Sequence, residues 1–190
     1  MKKTERTSSL CNSPKSMVYL ALFTALITVG AFIRIPVPVC PFTLQLFFTT
    51  LAGLLLGSRR GAAAIAVYVA LGLAGIPVFT EGGGPSYIFQ PTFGYLAGFI
   101  AGTWLTGKLS ETAAHPSLSR LLAAGFSGLA IVYIFGISYV YIINTWYLGT
   151  PIGIWPLFLY CFFLAVPGDI ILCILAAGTA KRIRTAGFSI

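Results

Sequence analysis

Long apolar stretches with almost no charge inside them dominate this sequence of 190 residues. Only 8% of the residues are charged and 57% are hydrophobic, whereas a water-soluble domain of this length needs far more charge to cover its surface. A bilayer core about 30 Å thick requires roughly 20 apolar residues for each helical span. Six stretches meet this requirement, some with help from their flanks: residues 17–33, 43–57, 62–76, 92–106, 121–144 and 154–180. We therefore predict an all-α integral membrane protein with six transmembrane helices.

The predicted domain organisation is simple. A single membrane domain covers residues 17–184, preceded by a polar tail of residues 1–16 and followed by a short tail of residues 185–190. The first apolar run is too long for the core of a signal peptide and lacks a small-residue cleavage site. We therefore expect it to be retained as the first helix.

The Lys and Arg residues predict the orientation of the helices, because cytoplasmic segments of membrane proteins are enriched in them. With the N-terminus inside, the inner segments hold four, two, two and three of the 12 Lys and Arg residues, and the outer segments hold only Arg34. We therefore expect both termini on the cytoplasmic side of the cell membrane. Because the cations are scattered between apolar runs and do not cluster on one face, we expect no nucleic-acid partner.

Patterns typical of enzymes and metal sites are missing from the sequence. It contains no His-Glu-x-x-His, no Gly-x-Ser-x-Gly and no phosphate-binding loop ending in Gly-Lys-Ser/Thr. His115, the only histidine, falls in a polar segment predicted to be cytoplasmic. The four cysteines lack metal-site spacing, and we expect Cys161 and Cys173 to be buried free thiols. We therefore expect no catalytic residue, no metal and no cofactor in this chain.

Strong polar groups gather at the predicted outer ends of the helices. Asp169 is the only acid in a span, and because an unpaired aspartate costs about 2.5–3.5 kcal/mol there, it should face the interior. Pro167 predicts a kink in the same helix, with Asp169 near the helix middle. The other groups on this side are Arg34, Gln45, Gln90 and Asn144. We therefore predict an outward-facing ligand pocket roofed by residues 77–91, the loop between helices three and four.

The donors and acceptors predict the character of the ligand. A carboxylate accepts from N–H groups, amides both donate and accept, and an arginine suits an anion. Tyr87 and Tyr95 add aromatic walls. A small, mostly apolar molecule with a planar urea- or amide-like head and a carboxylate tail matches this set, and several vitamins have that form.

Small residues mark the faces on which helices can approach closely. Gly94, Gly98 and Gly102 recur every four residues in the fourth predicted helix, as Gly53 and Gly57 do in the second. For the second helix we favour packing within the bundle. For Ala21 and Ala25 in the first helix, packing and a contact with a partner protein both stay open.

Four segments together resemble the BioY family: residues 36–45 (PVPVCPFTLQ), 71–79 (LGLAGIPVF), 82–99 (GGGPSYIFQPTFGYLAGF) and 167–169 (PGD). The resemblance extends over about residues 21–180, and PTFGYLAGF is its most specific part. It implies a biotin-specific substrate-binding (S) component of an energy-coupling factor (ECF) transporter. Such a component docks on a transmembrane coupling subunit with two ATPases, so ATP is used by the partner subunits.

The resemblance also implies roles for particular residues. Ala21 and Ala25 correspond to the small residues that meet the coupling subunit, and residues 82–92 with Asp169 help form the pocket. From chemistry alone, we assign Asp169 to a ureido N–H, Gln90 or Asn144 to the ureido oxygen, and Arg34 to the valerate carboxylate. The full set of predicted ligand-binding residues is Arg34, Gln45, Gly83, Gly84, Tyr87, Gln90, Thr92, Gly94, Tyr95, Asn144 and Asp169.

One departure from the family pattern bears on the ligand. Family members commonly carry a lysine three residues after this aspartate, where this chain has Leu172. Either Arg34 supplies the missing cation, or Asp169 is neutral because it is buried, or the ligand preference differs.

Three other functions are alternatives to a biotin-specific S component. They are a solitary vitamin facilitator, an S component for another small carboxylated ligand such as a biotin precursor, and, outside transport, a small membrane enzyme or assembly factor.

Overall fold

A computed structural model describes residues 14–35, 41–113, 116–149 and 153–187. Most of the predicted polar tail, together with Cys11, Cys40 and His115, lies outside these ranges. The described helices are α1 Pro14–Phe32, α2 Gln45–Leu73, α3 Phe93–Ser110, α4 Leu118–Ile142, α5 Ile154–Phe158 and α6 Val166–Thr185. Two short antiparallel strands, β1 Arg34–Ile35 and β2 Phe42–Thr43, follow α1.

Four segments of the described chain are long and apolar enough to cross a membrane: Pro14–Phe32, Gln45–Leu73, Leu118–Tyr147 and Trp155–Thr185. The chain is therefore a multi-pass membrane protein of helical class. The predicted second and third spans are the two arms of the single run α2. The predicted fourth span is α3, which is not one of these four segments.

The chain reverses direction inside α2 at Gly57, whose φ of 83° and ψ of −177° interrupt the helical conformation. A positive φ of this kind favours glycine. The Gln45 amide nitrogen donates to the Tyr68 hydroxyl at 2.8 Å, although these residues would lie about 35 Å apart along a straight helix. The Glu111 carboxylate, at the end of α3, accepts from the Ser58 backbone N–H at 2.7 Å and so caps the second arm.

Glycines let α3 lie against its neighbours on two sides. A Cβ added at Gly98 would lie 3.0 Å from the backbone of Val132 on α4, and one added at Gly102 would lie 2.7 Å from the Gly128 carbonyl oxygen. On the other side, a Cβ at Gly53 of α2 would lie 2.8 Å from the Thr103 carbonyl oxygen. These contacts confirm that Gly98, Gly102 and Gly53 serve packing within the bundle, with α3 between α2 and α4, whereas Gly57 forms the reversal of α2.

The predicted sixth helix is interrupted. A π-helical turn, Leu159–Phe163, follows the short helix α5, and α6 begins only at Val166. Pro167 therefore lies in the first turn of α6. Backbone N–H groups in a first turn have no acceptor within the helix, so a proline there costs no helical hydrogen bond. Trp155–Thr185 is nevertheless one membrane-spanning segment with Asp169 near its middle, and the interruption directly before Pro167 agrees with the expected kink. Within that segment, Asp169 occupies the first turn of α6.

The cations and the polar loops lie at opposite ends of the bundle. One end of the bundle contains the Gly57 reversal, the C-termini of α3 and α6 and the N-termini of α1 and α4. The cations at this end are Lys15, Arg59, Arg60, Lys108, Arg120, Lys181, Arg182 and Arg184. The other end holds Arg34, the strands β1 and β2 and the loop between α2 and α3.

The close α3–α4 contact predicts the effect of a single added methyl group. Gly102→Ala should lower the thermal unfolding temperature of the detergent-solubilised protein, because the new Cβ forces the α4 backbone away at a cost of about 1–3 kcal/mol. Gly125→Ala is the control, since its Cβ would meet only Thr50 Cγ2 at 3.4 Å. Equal unfolding temperatures for the two variants would contradict this packing.

Candidate ligand-binding cavity

A cavity lies at the end of the bundle away from the cluster of cations. The space between its side chains, counted together with the open mouth, is about 670 Å³. The polar lining consists of Thr43, Gln45, Thr80, Tyr87, Thr92, Tyr95, Tyr133 and Asp169, and the apolar lining of Pro41, Phe42, Leu46, Leu96, Phe99, Val132, Cys161 and Ala165. An apolar chamber with a few polar groups suits a small amphipathic ligand.

Asp169 is the acidic group of the cavity wall. The Tyr133 hydroxyl on α4 donates a hydrogen bond to Asp169 Oδ2 at the start of α6. A Cβ at Gly168 would lie 2.6 Å from the Phe42 ring, so glycine lets this ring approach the first turn of α6. The carboxylate therefore faces the cavity and has a phenol as its partner in the described structure.

Gln45 lies at the start of α2 and is held by a chain of hydrogen bonds. Its amide nitrogen donates to the Tyr68 hydroxyl at 2.8 Å, and that hydroxyl donates to the Val78 carbonyl oxygen at 3.0 Å. The Thr43 hydroxyl donates to Gln45 Oε1 at 3.3 Å. The carboxamide is thus fixed at the wall, and its NH₂ group, which can donate twice, is given one acceptor, Tyr68, among the described residues.

The loop between α2 and α3 covers one side of the cavity. Tyr87, in the 3₁₀ helix Pro85–Phe89, is buried, and its hydroxyl lies 3.0 Å from the Thr80 hydroxyl and accepts from the Thr92 hydroxyl at 3.3 Å. Its ring packs on Phe79 at a centroid distance of 4.4 Å. This loop therefore places Thr80, Tyr87 and Thr92 together over the chamber.

Gly83 and Gly84 of the same loop shape its backbone and do not line the cavity. Gly84 has a φ of 117°, and its N–H donates to the Gly72 carbonyl oxygen at 2.7 Å. A Cβ at Gly83 would lie 2.9 Å from the Ile76 carbonyl carbon. They bring the loop back onto the end of α2.

The predicted site residues fall into two groups. The structure brings five of them to the cavity wall: Gln45, Tyr87, Thr92, Tyr95 and Asp169. The other six lie outside the described lining: Arg34, Gly83, Gly84, Gln90, Gly94 and Asn144. For this second group, contact with a ligand stays a prediction.

The polar members of the second group have other partners or lie at the surface. The Asn144 amide nitrogen donates to the Val140 carbonyl oxygen at 2.9 Å, within the π-helical turn that continues α4. Gln90 is exposed. Arg34 is exposed as well, and it donates to the Thr80 carbonyl oxygen at 2.6 Å, next to the cavity wall.

Sequence reasoning missed Tyr133 and Thr80. Tyr133 is a hydroxyl-bearing residue in the middle of a long apolar span, which is a signal for a polar contact. Tyrosines are common in membrane helices, however, and the pairing with Asp169 depends on how α4 and α6 meet. Leu172 is buried among apolar side chains of the core, so the position of the family's usual lysine lies outside the described lining.

Other expectations concern residues away from the cavity. Cys161 and Cys173 are buried and free, as expected. Ala21 and Ala25 are exposed on α1, beside the exposed Val18, Leu22 and Val29. Within the described ranges, no group of three or more His, Cys, Asp or Glu side chains could hold a metal ion.

Comparison with known proteins decides the family. The model of the BioY family matches residues 1–188. The chain belongs to the BioY family. A probable biotin transporter BioY of Lysinibacillus sphaericus is 42% identical over 172 residues, which cover 90% of this chain and 87% of the relative. The biotin transporter BioY of Thermotoga maritima is 44% identical over 124 residues, 65% of this chain and 72% of that protein.

A solved structure has the same fold. The crystal structure of the S-component for biotin from an ECF-type ABC transporter aligns with a TM-score of 0.67 and 28% identity, covering 92% of this chain and 93% of that one. The family resemblance inferred from the sequence is thereby confirmed. BioY is a family of transporter components, not of enzymes.

The hydrogen-bonded chain behind Gln45 yields a stability prediction. Tyr68→Phe should lower the thermal unfolding temperature, because it leaves the half-buried Val78 carbonyl and the buried Gln45 amide without their partner, at a cost of about 1–3 kcal/mol. Tyr160→Phe, at a partly buried tyrosine elsewhere, is the matched control. A Tyr68→Phe protein as stable as the control would show that the hydrogen bonds of Tyr68 do not hold the two arms of α2 together.

Proposed function

We propose that this chain is the biotin-binding subunit of an ATP-driven ECF transporter and that it captures biotin from outside the cell. The observation that carries the proposal is the cavity with Asp169 in its wall, in a chain whose relatives are biotin transporters. Coupling to ATP hydrolysis is supported by the likeness to an S-component of an ECF-type transporter. The location that follows is the cytoplasmic membrane.

The proposed topology has six membrane crossings with both termini inside. The arms of α2 provide two short crossings, α3 provides one, and α1, α4 and the α5–α6 segment provide the rest. The cation-rich end then faces the cytoplasm, as the positive-inside rule requires. The cavity lies at the opposite end, so its mouth faces outward, under the loop between α2 and α3.

Biotin suits the cavity in both its polar and its apolar parts. One Asp169 oxygen can accept from a ureido N–H, and the remaining N–H of Gln45 can donate to the ureido oxygen. We prefer Gln45 for the latter role over Asn144, whose amide N–H is bonded to Val140. Phe42, Leu96, Phe99 and Val132 offer apolar walls for the rings and the aliphatic chain.

The valerate carboxylate is assigned to the mouth of the cavity. Arg34 is exposed there and already touches the lining residue Thr80. Its guanidinium has further N–H donors for an anion. In this arrangement Arg34 contacts the carboxylate tail of biotin, and Asp169 has Tyr133, not Arg34, as its hydrogen-bond partner.

The proposed partners are a transmembrane coupling subunit and two ATPase subunits. The exposed Ala21 and Ala25 form a small-residue face on α1, and such faces let helices approach closely in lipid. Because the chain itself carries no phosphate-binding loop, ATP hydrolysis belongs to the partners.

A conservative change at Asp169 tests the site. Asp169→Asn should keep the fold and weaken biotin binding at least tenfold, since a hydrogen bond to a charged group is worth about 1.5–3 kcal/mol and about 1.4 kcal/mol corresponds to a factor of ten. The measurement is isothermal titration of the purified protein with biotin, with other vitamins as a selectivity panel. Unchanged affinity for biotin would remove Asp169 from the site, and a tighter-binding vitamin would replace biotin as the ligand.

Bulky residues on α1 test the docking face. Ala21→Trp combined with Ala25→Trp should leave biotin binding intact but abolish uptake and co-purification with the coupling subunit. The matched control is Ile171→Trp with Leu175→Trp, an exposed pair one turn apart on α6 whose side chains are 58% and 53% exposed. Normal assembly of the α1 variant would refute the docking face, and full uptake without the ATPase subunits would favour a solitary facilitator.

A further inference from the structure

We propose that Tyr133 is a positioning residue for the ligand, because its hydroxyl holds the Asp169 carboxylate in the orientation that presents the second oxygen, Oδ1, to the cavity. The inference rests on the proposed function and adds to it a residue, Tyr133, that contacts the ligand-binding carboxylate of Asp169. Its basis is the hydrogen bond from the Tyr133 hydroxyl to Asp169 Oδ2, which joins α4 to the first turn of α6.

The phenol is itself held in place. Tyr133 is only 6% exposed. Its ring meets Phe162 edge to face at a centroid distance of 5.3 Å and an interplanar angle of 70°, and Tyr95 at 6.3 Å and 84°. A ring packed on two aromatic neighbours cannot swing freely, so its hydroxyl is a fixed point to which the carboxylate attaches.

Asp169 depends on this fixed point more than an aspartate in water would. In the described structure its hydrogen-bond partner is a phenol and not a cation, and the residue one turn later is the buried, apolar Leu172. A carboxylate in an apolar wall is costly unless its oxygens are hydrogen-bonded. Tyr133 donates to Oδ2, and Oδ1 is the oxygen that we assign to a ligand N–H.

Tyr133 also separates the cavity from the lipid-facing side of the bundle. Its side chain lines both the cavity and an apolar groove between α4 and α6, which includes Phe126, Ile134 and Ile170. Truncating the side chain would open the cavity, with Asp169 in its wall, toward hydrocarbon. Tyr133→Phe keeps this wall and removes only the hydroxyl, so it is the variant that isolates the positioning role.

A double-mutant cycle tests the inference, because it separates action through Asp169 from independent packing. Biotin affinity is measured by isothermal titration for the wild-type protein, Tyr133→Phe, Asp169→Asn and the double variant. We expect Tyr133→Phe to weaken binding about tenfold, the lower range for a hydrogen bond to a charged group. In the Asp169→Asn background the same change should alter the affinity less than twofold.

The control is Tyr141→Phe, on the same helix at a residue that is 44% exposed. It should leave biotin affinity unchanged. Infrared difference spectra on biotin addition supply a second readout: the carboxylate bands lost in Asp169→Asn should shift in Tyr133→Phe and not in Tyr141→Phe. Packing alone would not produce this pattern.

The contrary results are distinct from a failure of the proposed function. The positioning role would be overturned if Tyr133→Phe bound biotin with wild-type affinity. It would also be overturned if Tyr133→Phe lowered the biotin affinity by the same factor in the wild-type protein and in Asp169→Asn. In both cases the wild-type protein would still bind biotin. Absence of biotin binding by the wild-type protein would instead reject the proposed function itself.

Discussion

Backbone contact through glycine along α3 is the constraint on which the rest of the structure depends. In a bilayer, apolar burial gives helices little reason to associate, so close van der Waals packing has to supply the attraction. Gly98 and Gly102 bring α3 against α4, and Gly107 allows α3 to lie on the Gly57–Ser58 reversal of α2. Because α3 is held on both sides, the walls of the cavity that it shares with α2 and α4 are set by the backbone.

A rigid frame of this kind suits a binding site built from few polar groups. The described polar side chains of the cavity are mostly engaged already: Gln45 with Tyr68 and Thr43, Tyr87 with Thr80 and Thr92, and Asp169 with Tyr133. Groups fixed in this way lose little conformational entropy when a ligand arrives, which favours affinity. The chain thus combines a preorganised chamber at one end with a cation-rich surface at the other.

Much of this arrangement could be predicted from the sequence because it follows from local chemistry. The apolar runs indicated a helical membrane protein, the spacing of Gly94, Gly98 and Gly102 indicated a packing face, and the isolated Asp169 indicated a polar contact in the interior. Such signals need only the residue types and their spacing. The family resemblance added the ligand class, which no single residue specifies.

The rest could not be predicted because it depends on how distant segments meet. Gly57 joins two arms in one helical run, and a π-helical turn, Leu159–Phe163, precedes the interruption before Pro167. Asn144 turns its amide to the backbone of its own turn. The pairing of Tyr133 with Asp169, 36 residues apart, exists only because α4 and α6 come together, and a single sequence gives no register for that contact.

The direction in which the cavity opens is the central claim, and thiol labelling in intact cells tests it most directly. In a background with the native cysteines replaced, Thr80→Cys places a thiol in the cavity lining and Arg59→Cys places one at the cation-rich end. A membrane-impermeant maleimide should label Thr80→Cys and not Arg59→Cys, and biotin should slow that labelling. Labelling of Arg59→Cys alone, or labelling of Thr80→Cys that biotin leaves unchanged, would contradict an outward-facing biotin site.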